Sequence, residues 1–224
     1  MFHRDKLLNI TTLISLFIFI AFLLYAYFAD LWSYYAADGF IFIAFTLFFY
    51  LTYTDWNLNL PVFTMLMLGF TLHMCGVFGW YNISPVFLQW DHITHLVPMF
   101  AFTCMFFCFA NRFMNRKFLT GKNLRVFAII FLAGLGCGVI IELSEFAGFV
   151  AFGFGDGGFF FGTGDSFQGQ TVYNIEQIEE YGGGWFNTMW DLAWNTIGSL
   201  LAMIVMFISY FVFGRREKNL FDEY

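Results

Sequence analysis

Apolar residues run in long blocks along this chain, and polar residues gather in the gaps between them. A hydrocarbon core takes about 20 apolar residues per helix. Six segments approach that length: about 7–28, 39–54, 60–80, 90–110, 124–151 and 186–213. The second is the shortest and has the softest ends. The pattern predicts an all-α fold, a polytopic membrane helix bundle of about six transmembrane helices. Residues 1–224 read as a single transmembrane domain. Its one long connection is an acidic, Gly-rich loop at 152–185. No internal repeat is evident, so an inverted-repeat transporter has no positive support.

Composition agrees. Of 224 residues, 60% are hydrophobic, 24% aromatic and only 12% charged, whereas soluble domains carry about 25% charged residues. A water-soluble surface could hardly be built from so few. The ten Lys and Arg residues fall in three short stretches: Arg4 and Lys6; Arg112, Arg116, Lys117, Lys122 and Arg125; and Arg215, Arg216 and Lys218. Placing the N-terminus inside puts all three on the cytoplasmic side, as the positive-inside rule requires. The expected topology is therefore N-in and C-in, in a cell membrane. The loops at 29–38, 81–89 and 152–185 lack Lys and Arg and are external. The loop at 55–59 also lacks them and is silent. Ten cations and five acids then lie inside, and the other eleven acids lie outside or in the outer halves of helices. That asymmetry is an orientation signal and does not point to nucleic acid.

Three further features have plain readings. The first segment follows Arg4 and Lys6 as a signal peptide would, but it is too long for a signal core and no A-x-A site follows. Cys75, Cys104, Cys108 and Cys137 fall in predicted helices without zinc-ligand spacing and read as packing residues. Gly153, Gly155 and Gly158 match G-x-G-x-x-G only formally, since a membrane helix precedes them. The loop that holds them also carries Phe159, Phe160, Phe161, Phe167 and Tyr173, and reads equally as a lid or as a solvated loop. Gly134 and Gly138 are spaced to let another helix approach closely.

The candidate chemistry lies in the outer halves of three helices. Asp91 and His95 are four apart and share a helix face. Glu142 and Glu145 are three apart on the next helix. Thr188, Asp191, Asn195 and Gly198 form a stripe on the last. Glu142 lies roughly 25 Å along its helix from Arg125, which brings it to the layer of Asp91 and Asp191. His73 and His92 read as packing or interface residues.

A charged acid within a bilayer is costly, and several carboxylates together repel one another. Lys and Arg are absent from that side. A divalent cation, shared protons, the histidines or water must offset the charge. Carboxylates with imidazole suit Zn, Mn or Fe, and carboxylates with water suit Mg or Ca. The expected cofactor is a divalent metal ion (Zn, Mn or Mg), with Asp91, His95, Glu142, Glu145 and Asp191 as ligands. The plainer alternative makes Asp91, Asn187 or Thr188 helix caps, Asn195 a helix–helix hydrogen bond, and the glutamates buried and protonated.

These residues resemble a known family. Trp90-Asp91-His92-Ile93-Thr94-His95 is similar to the Tyr/Trp-Asp-x-x-x-His motif of the YjdF-like inner-membrane proteins. Glu142-Leu143-Ser144-Glu145-Phe146 resembles their Glu-Leu-x-Glu-aromatic motif. Trp185 through Leu192 resembles their Asp-Thr-x-x-Asp-Met segment, with Asn187 in place of Asp and Leu192 in place of Met. A looser similarity, through Asp191, Asn195 and Gly198, extends to VanZ-like proteins, which are associated with glycopeptide-antibiotic resistance. The resemblance covers roughly residues 60–205 and implies a polytopic membrane protein.

Two functions compete, with a third behind them. One is a metal-dependent enzyme at the outer leaflet, with Glu142, Glu145 and Asp191 as catalytic residues and a lipid or lipid-linked headgroup as substrate. The other is a proton- or cation-coupled transporter using the same carboxylates. The third is a non-catalytic membrane subunit. The partners expected are membrane lipids.

Overall fold

The structure is a computed structural model, and it describes residues 2–29, 32–81, 83–115, 120–152, 166–167, 170–171 and 183–213. It is an all-helical membrane bundle: α1 (Phe2–Phe28), α2 (Trp32–Leu51), α3 (Leu60–Cys75), α4 (Trp90–Asn111), α5 (Gly121–Phe152) and α6 (Gly183–Phe213). Five helices are long and apolar enough to span a bilayer, and Ala36–Leu51 within α2 is a shorter apolar helix. Two-residue strands β1 (Ser166–Phe167) and β2 (Gln170–Thr171) pair antiparallel. The expected loop at 152–185 ends earlier than 185, since α6 already begins at Gly183; its residues 153–165, 168–169 and 172–182, and the C-terminal basic cluster, lie outside the described residues.

The second segment departs from expectation. Apolarity alone bounds it at about 39–54, yet the helix runs from Trp32 to Leu51. Trp and Tyr favour the membrane interface, and Trp32, Tyr34 and Tyr35 open this helix. Asp38 is therefore helical and buried, at 2% exposure, rather than part of an external loop. Gly39 allows this placement, since a Cβ there would lie 2.5 Å from a Leu23 methyl on α1.

The basic end is closed by local polar contacts. Asn57 takes a left-handed backbone (φ 52°), which Asn tolerates better than most residues. Asn59 then caps α3, its side chain accepting from the Val62 amide at 3.0 Å. The Asn57 side chain donates to the Cys108 carbonyl at 3.0 Å, and the Arg112 guanidinium donates to the Asp55 carbonyl. Asn123, fully buried, bonds both the amide and the carbonyl of Asn115.

The core is a Phe and Met cluster shared by α1–α4, with Ala202 of α6 packed into it. Phe42 and Phe70 stack at 5.0 Å, and Phe45 stacks on Phe70 at 5.7 Å. Cys104 and Cys108 pack into this cluster as free thiols. Lipid-facing positions such as Phe17, Ile129, Leu132 and Ile204 leave large apolar side chains exposed, which suits a hydrocarbon surround.

Helix α4 is central and packs on α3, α5 and α6. Small residues set these approaches, as close membrane crossings require. A Cβ at Gly134 would overlap the Thr103 hydroxyl, one at Gly138 would lie 2.6 Å from Asn195 Nδ2, and one at Gly198 would overlap the Leu96 carbonyl. Thr103 donates across to Ser199 at 3.1 Å. The glycine spacing in α5 thus serves packing, as the sequence suggested, and it draws α5 and α6 together beside the polar residues of α4.

Candidate functional site

Helix α4 opens at the end of the bundle opposite the basic loops. Its first turn carries Asp91, and the next turn carries His95. Neither caps the helix: Gln89 holds the cap position without a side-chain bond. Helix α6 begins at Gly183, so Asn187 and Thr188 lie inside it and do not cap it either. One turn below the site, Pro98 interrupts α4 and supplies no amide for the Thr94 carbonyl. Trp90 is buried, and its indole N–H donates to the Leu72 carbonyl of α3 at 2.9 Å.

The imidazole of His95 organises the site. Its Nε2 lies 3.5 Å from Asp91 Oδ1 and 3.6 Å from Asp191 Oδ1. Its Nδ1 lies 3.5 Å from Glu142 Oε1 and 3.3 Å from Asn195 Oδ1. All five residues are buried, none above 7% exposure. Helices α4, α5 and α6 thus bring Asp91, His95, Glu142 and Asp191 together, with Asn195 as a fifth member. Glu145 stands one turn further along α5, partly buried, and acts on Asp191 electrostatically. His92 stacks on Trp194 at 4.9 Å, in keeping with a packing role.

The arrangement leaves charge to be answered. Asp91 Oδ2, both Glu142 oxygens and Asp191 Oδ1 are buried without a hydrogen-bond partner. Lys6, Arg112, Lys122 and Arg125 sit at the other end of their helices. If Nδ1–H donates to Asn195, a neutral His95 turns the Nε2 lone pair toward two carboxylates. A proton or a cation must then sit between them. The 3.5–3.6 Å separations are longer than a good hydrogen bond. They are close to the edge of a tetrahedron around an ion with bonds of about 2.1 Å, which is roughly 3.4 Å. One ligand atom each from Asp91, His95 and Asp191 lie within 4.8 Å of one another, a grouping that could hold a metal ion. Glu142 lies on the far side of the ring, beside Nδ1 rather than Nε2.

A groove of about 270 Å³ reaches the site between α5 and α6, lined by Val139, Glu142, Leu143, Phe146, Thr188 and Leu192. Leu143 and Phe146 on its rim are 59% and 64% exposed.

A second buried pair was missed by the sequence reading, which treated His73 as a lone packing residue. His73 Nε2 lies 3.6 Å from Asp38 Oδ2, and His73 Nδ1 lies 2.9 Å from the Tyr81 hydroxyl. The available signal was an acid following Trp32, Tyr34 and Tyr35, an interfacial run that moves the helix start outward.

No curated protein and no solved structure matches the chain. A family profile described as predicted membrane protein (DUF2238) matches residues 10–210. That match spans most of the sequence, and this chain belongs to that membrane-protein family.

Proposed function

We propose that this protein is a metal-dependent membrane enzyme that holds a divalent cation between Asp91, His95 and Asp191 and acts on a lipid or lipid-linked headgroup. The observation that carries the reading is the position of His95 Nε2, 3.5 and 3.6 Å from two carboxylates that, among the described residues, have no Lys or Arg at their end of the bundle. A mixed carboxylate and imidazole set suits Zn or Mn, and Mg where water completes the shell. Such an ion would polarise a phosphoryl or acyl oxygen or acidify a bound water. Glu142 lines the groove and faces His95, so it is positioned to serve as general base. Glu145, partly buried one turn further along α5, is a further candidate ligand.

The lipid substrate class is supported by the groove, since its exposed rim residues Leu143 and Phe146 lie on a helix long and apolar enough to cross a bilayer. In this reading the basic end lies in the cytoplasm with both termini, as the positive-inside rule favours. The site then faces the outer leaflet. The similarity to YjdF-like and, more loosely, VanZ-like proteins is consistent with this placement and adds no activity.

Coupled transport is the weaker reading. Among the described residues, Asp38, His73, Asp91, His95, Glu142 and Asp191 all lie toward one end of the bundle. The buried hydroxyls of Thr12 and Ser15 on α1 bond their own helix carbonyls and extend no polar path.

The test is headgroup conversion. Protein in liposomes containing phospholipid and a lipid-linked phosphate, with Mn²⁺ added, is expected to release a headgroup detectable by mass spectrometry. Asp191→Asn should abolish release. Stoichiometric Mn²⁺ binding without conversion of any lipid would remove the enzymatic reading and leave the cation site.

A further inference from the structure

We propose that Asp38, His73 and Tyr81 form a second buried polar centre that positions the first turns of α4, and with them Asp91 and His95. Their side chains make a chain of contacts from α2 to α4. Asp38 Oδ2 faces His73 Nε2 at 3.6 Å. The other ring nitrogen lies 2.9 Å from the Tyr81 hydroxyl. That hydroxyl donates to Thr94 Oγ1 at 3.3 Å, and Thr94 donates to the Asp91 carbonyl at 2.8 Å. Thr94 is the immediate neighbour of His95.

The local backbone is built to deliver Tyr81. After Cys75 the helix widens into a π turn over Gly76–Trp80, where Gly79 takes φ 119°, a backbone that L side chains rarely adopt. Such turns occur often at functional sites. The Tyr81 ring then folds back onto Gly76, where a Cβ would lie 2.5 Å from the ring carbon bearing the hydroxyl. Two glycines therefore serve the position of one phenol. A second tie runs in parallel. Trp90, which donates to Leu72 of α3, also meets Trp80 edge to face at 4.4 Å.

A purely structural purpose would not need ionisable groups. Asp38 is 2% exposed and lies beside aromatic residues, with Phe42 edge-on to His73 at 5.4 Å. Burying a carboxylate and an imidazole there costs free energy that an apolar pair would avoid. The geometry points to orientation. The contact between the His73 ring and the Tyr81 phenol, and the hydrogen bond that the phenol donates to Thr94, fix the direction of Thr94 and the pitch of the turn that carries Asp91 and His95. Asp38, His73 and Tyr81 act through α4 and are positioning residues.

The test combines two readouts, of which only the second rests on the proposed metal site. Protein labelled with ¹⁵N in its four histidines is placed in nanodiscs as wild type, Tyr81→Phe, Asp38→Asn and Tyr50→Phe. The last is a matched control, since it removes a hydroxyl bonded to Asn9 at 2.8 Å near the opposite end. Tyr81→Phe and Asp38→Asn are each expected to move the ring resonances of His95 as well as those of His73. Each should weaken Mn²⁺ binding about tenfold, as loss of an outer-shell partner does. Tyr50→Phe should leave both unchanged at a similar melting temperature. If His73 moves while His95 and Mn²⁺ affinity stay at wild type, the positioning role is overturned. If wild type takes up no Mn²⁺, the metal reading fails by itself, and the His95 resonances alone decide this proposal. Should one variant fail to fold, the other carries the test.

Discussion

Glu142 Oε1 lies 3.5 Å from His95 Nδ1, on the opposite side of the ring from the two aspartates. An acid from α5 thus meets the ring nitrogen that Asp91 and Asp191 leave untouched. This separates two classes of acid at one imidazole, and they should respond differently to amidation. Glu142→Gln is expected to weaken Mn²⁺ or Zn²⁺ binding about tenfold, as an orienting partner does. Asp91→Asn and Asp191→Asn should each abolish stoichiometric binding. Isothermal titration of the three variants in detergent distinguishes them; equal effects would make Glu142 a ligand on the same footing.

Without an ion, the acids of this site oppose one another. Asp191 is 1% exposed and shares its surroundings with Asp91, Glu142 and Glu145. Repelling carboxylates destabilise the fold that holds them, and sites of this kind commonly trade stability for function. In the presence of chelator, Asp191→Asn is therefore expected to unfold later than wild type, by about 1–2 kcal/mol. In saturating metal the order should reverse. Thermal unfolding with and without chelator reads both. A variant less stable than wild type in chelator would show that the carboxylates are already balanced.

The glycines of α5 give a cleaner packing test. A Cβ on Gly138 would sit 2.6 Å from Asn195 Nδ2, whereas one on Gly136 would meet nothing within 4 Å. Gly138→Ala should cost about 1–3 kcal/mol by overpacking and should also disturb the Asn195 contact with His95. Gly136→Ala should be neutral or slightly stabilising. Equal melting temperatures for the two would contradict the observed approach of α5 and α6.

Much of this arrangement could be read from the chain, and the parts that could not share a cause. Apolar run length is a one-dimensional signal, and it located five helices well. The Asp91–His95 and Glu142–Glu145 spacings are local to single helices, so their shared faces followed from helical periodicity alone. The convergence of α4, α5 and α6 followed from counting depth. Asp38 and Tyr81 escaped because their meaning is not local. Asp38 was assigned to a loop since its helix opens with aromatic and small residues rather than a strongly apolar run. Tyr81 meets His73 across a π turn in which Gly79 takes a positive φ, and no periodic pattern announces that. Asn195 was visible as a polar residue in the right stripe, but its contact with His95 needed the helix crossing.

The groove makes its own prediction. Leu143 lines it and is largely exposed, so Leu143→Trp should fill the opening without touching Asp91, His95 or Asp191. Labelling by a photoreactive lipid at α5 and α6 is expected to fall several-fold while metal content holds. Unchanged labelling would mean that lipid does not enter there.

The central claim is that a cation balances Asp91 and Asp191 at His95 Nε2, and elemental analysis of the purified protein measures it most directly. Protein extracted in mild detergent and freed of loosely bound ions is expected to carry close to one Zn or Mn per chain. If Mg is the native ion, the site should take up one Mn when Mn is supplied. Asp191→Asn, folded by the same chromatographic and thermal criteria, should carry almost none. A folded wild type that holds no divalent metal, and binds none when it is supplied, would contradict the account and leave His95 as an imidazolium shared among its acids.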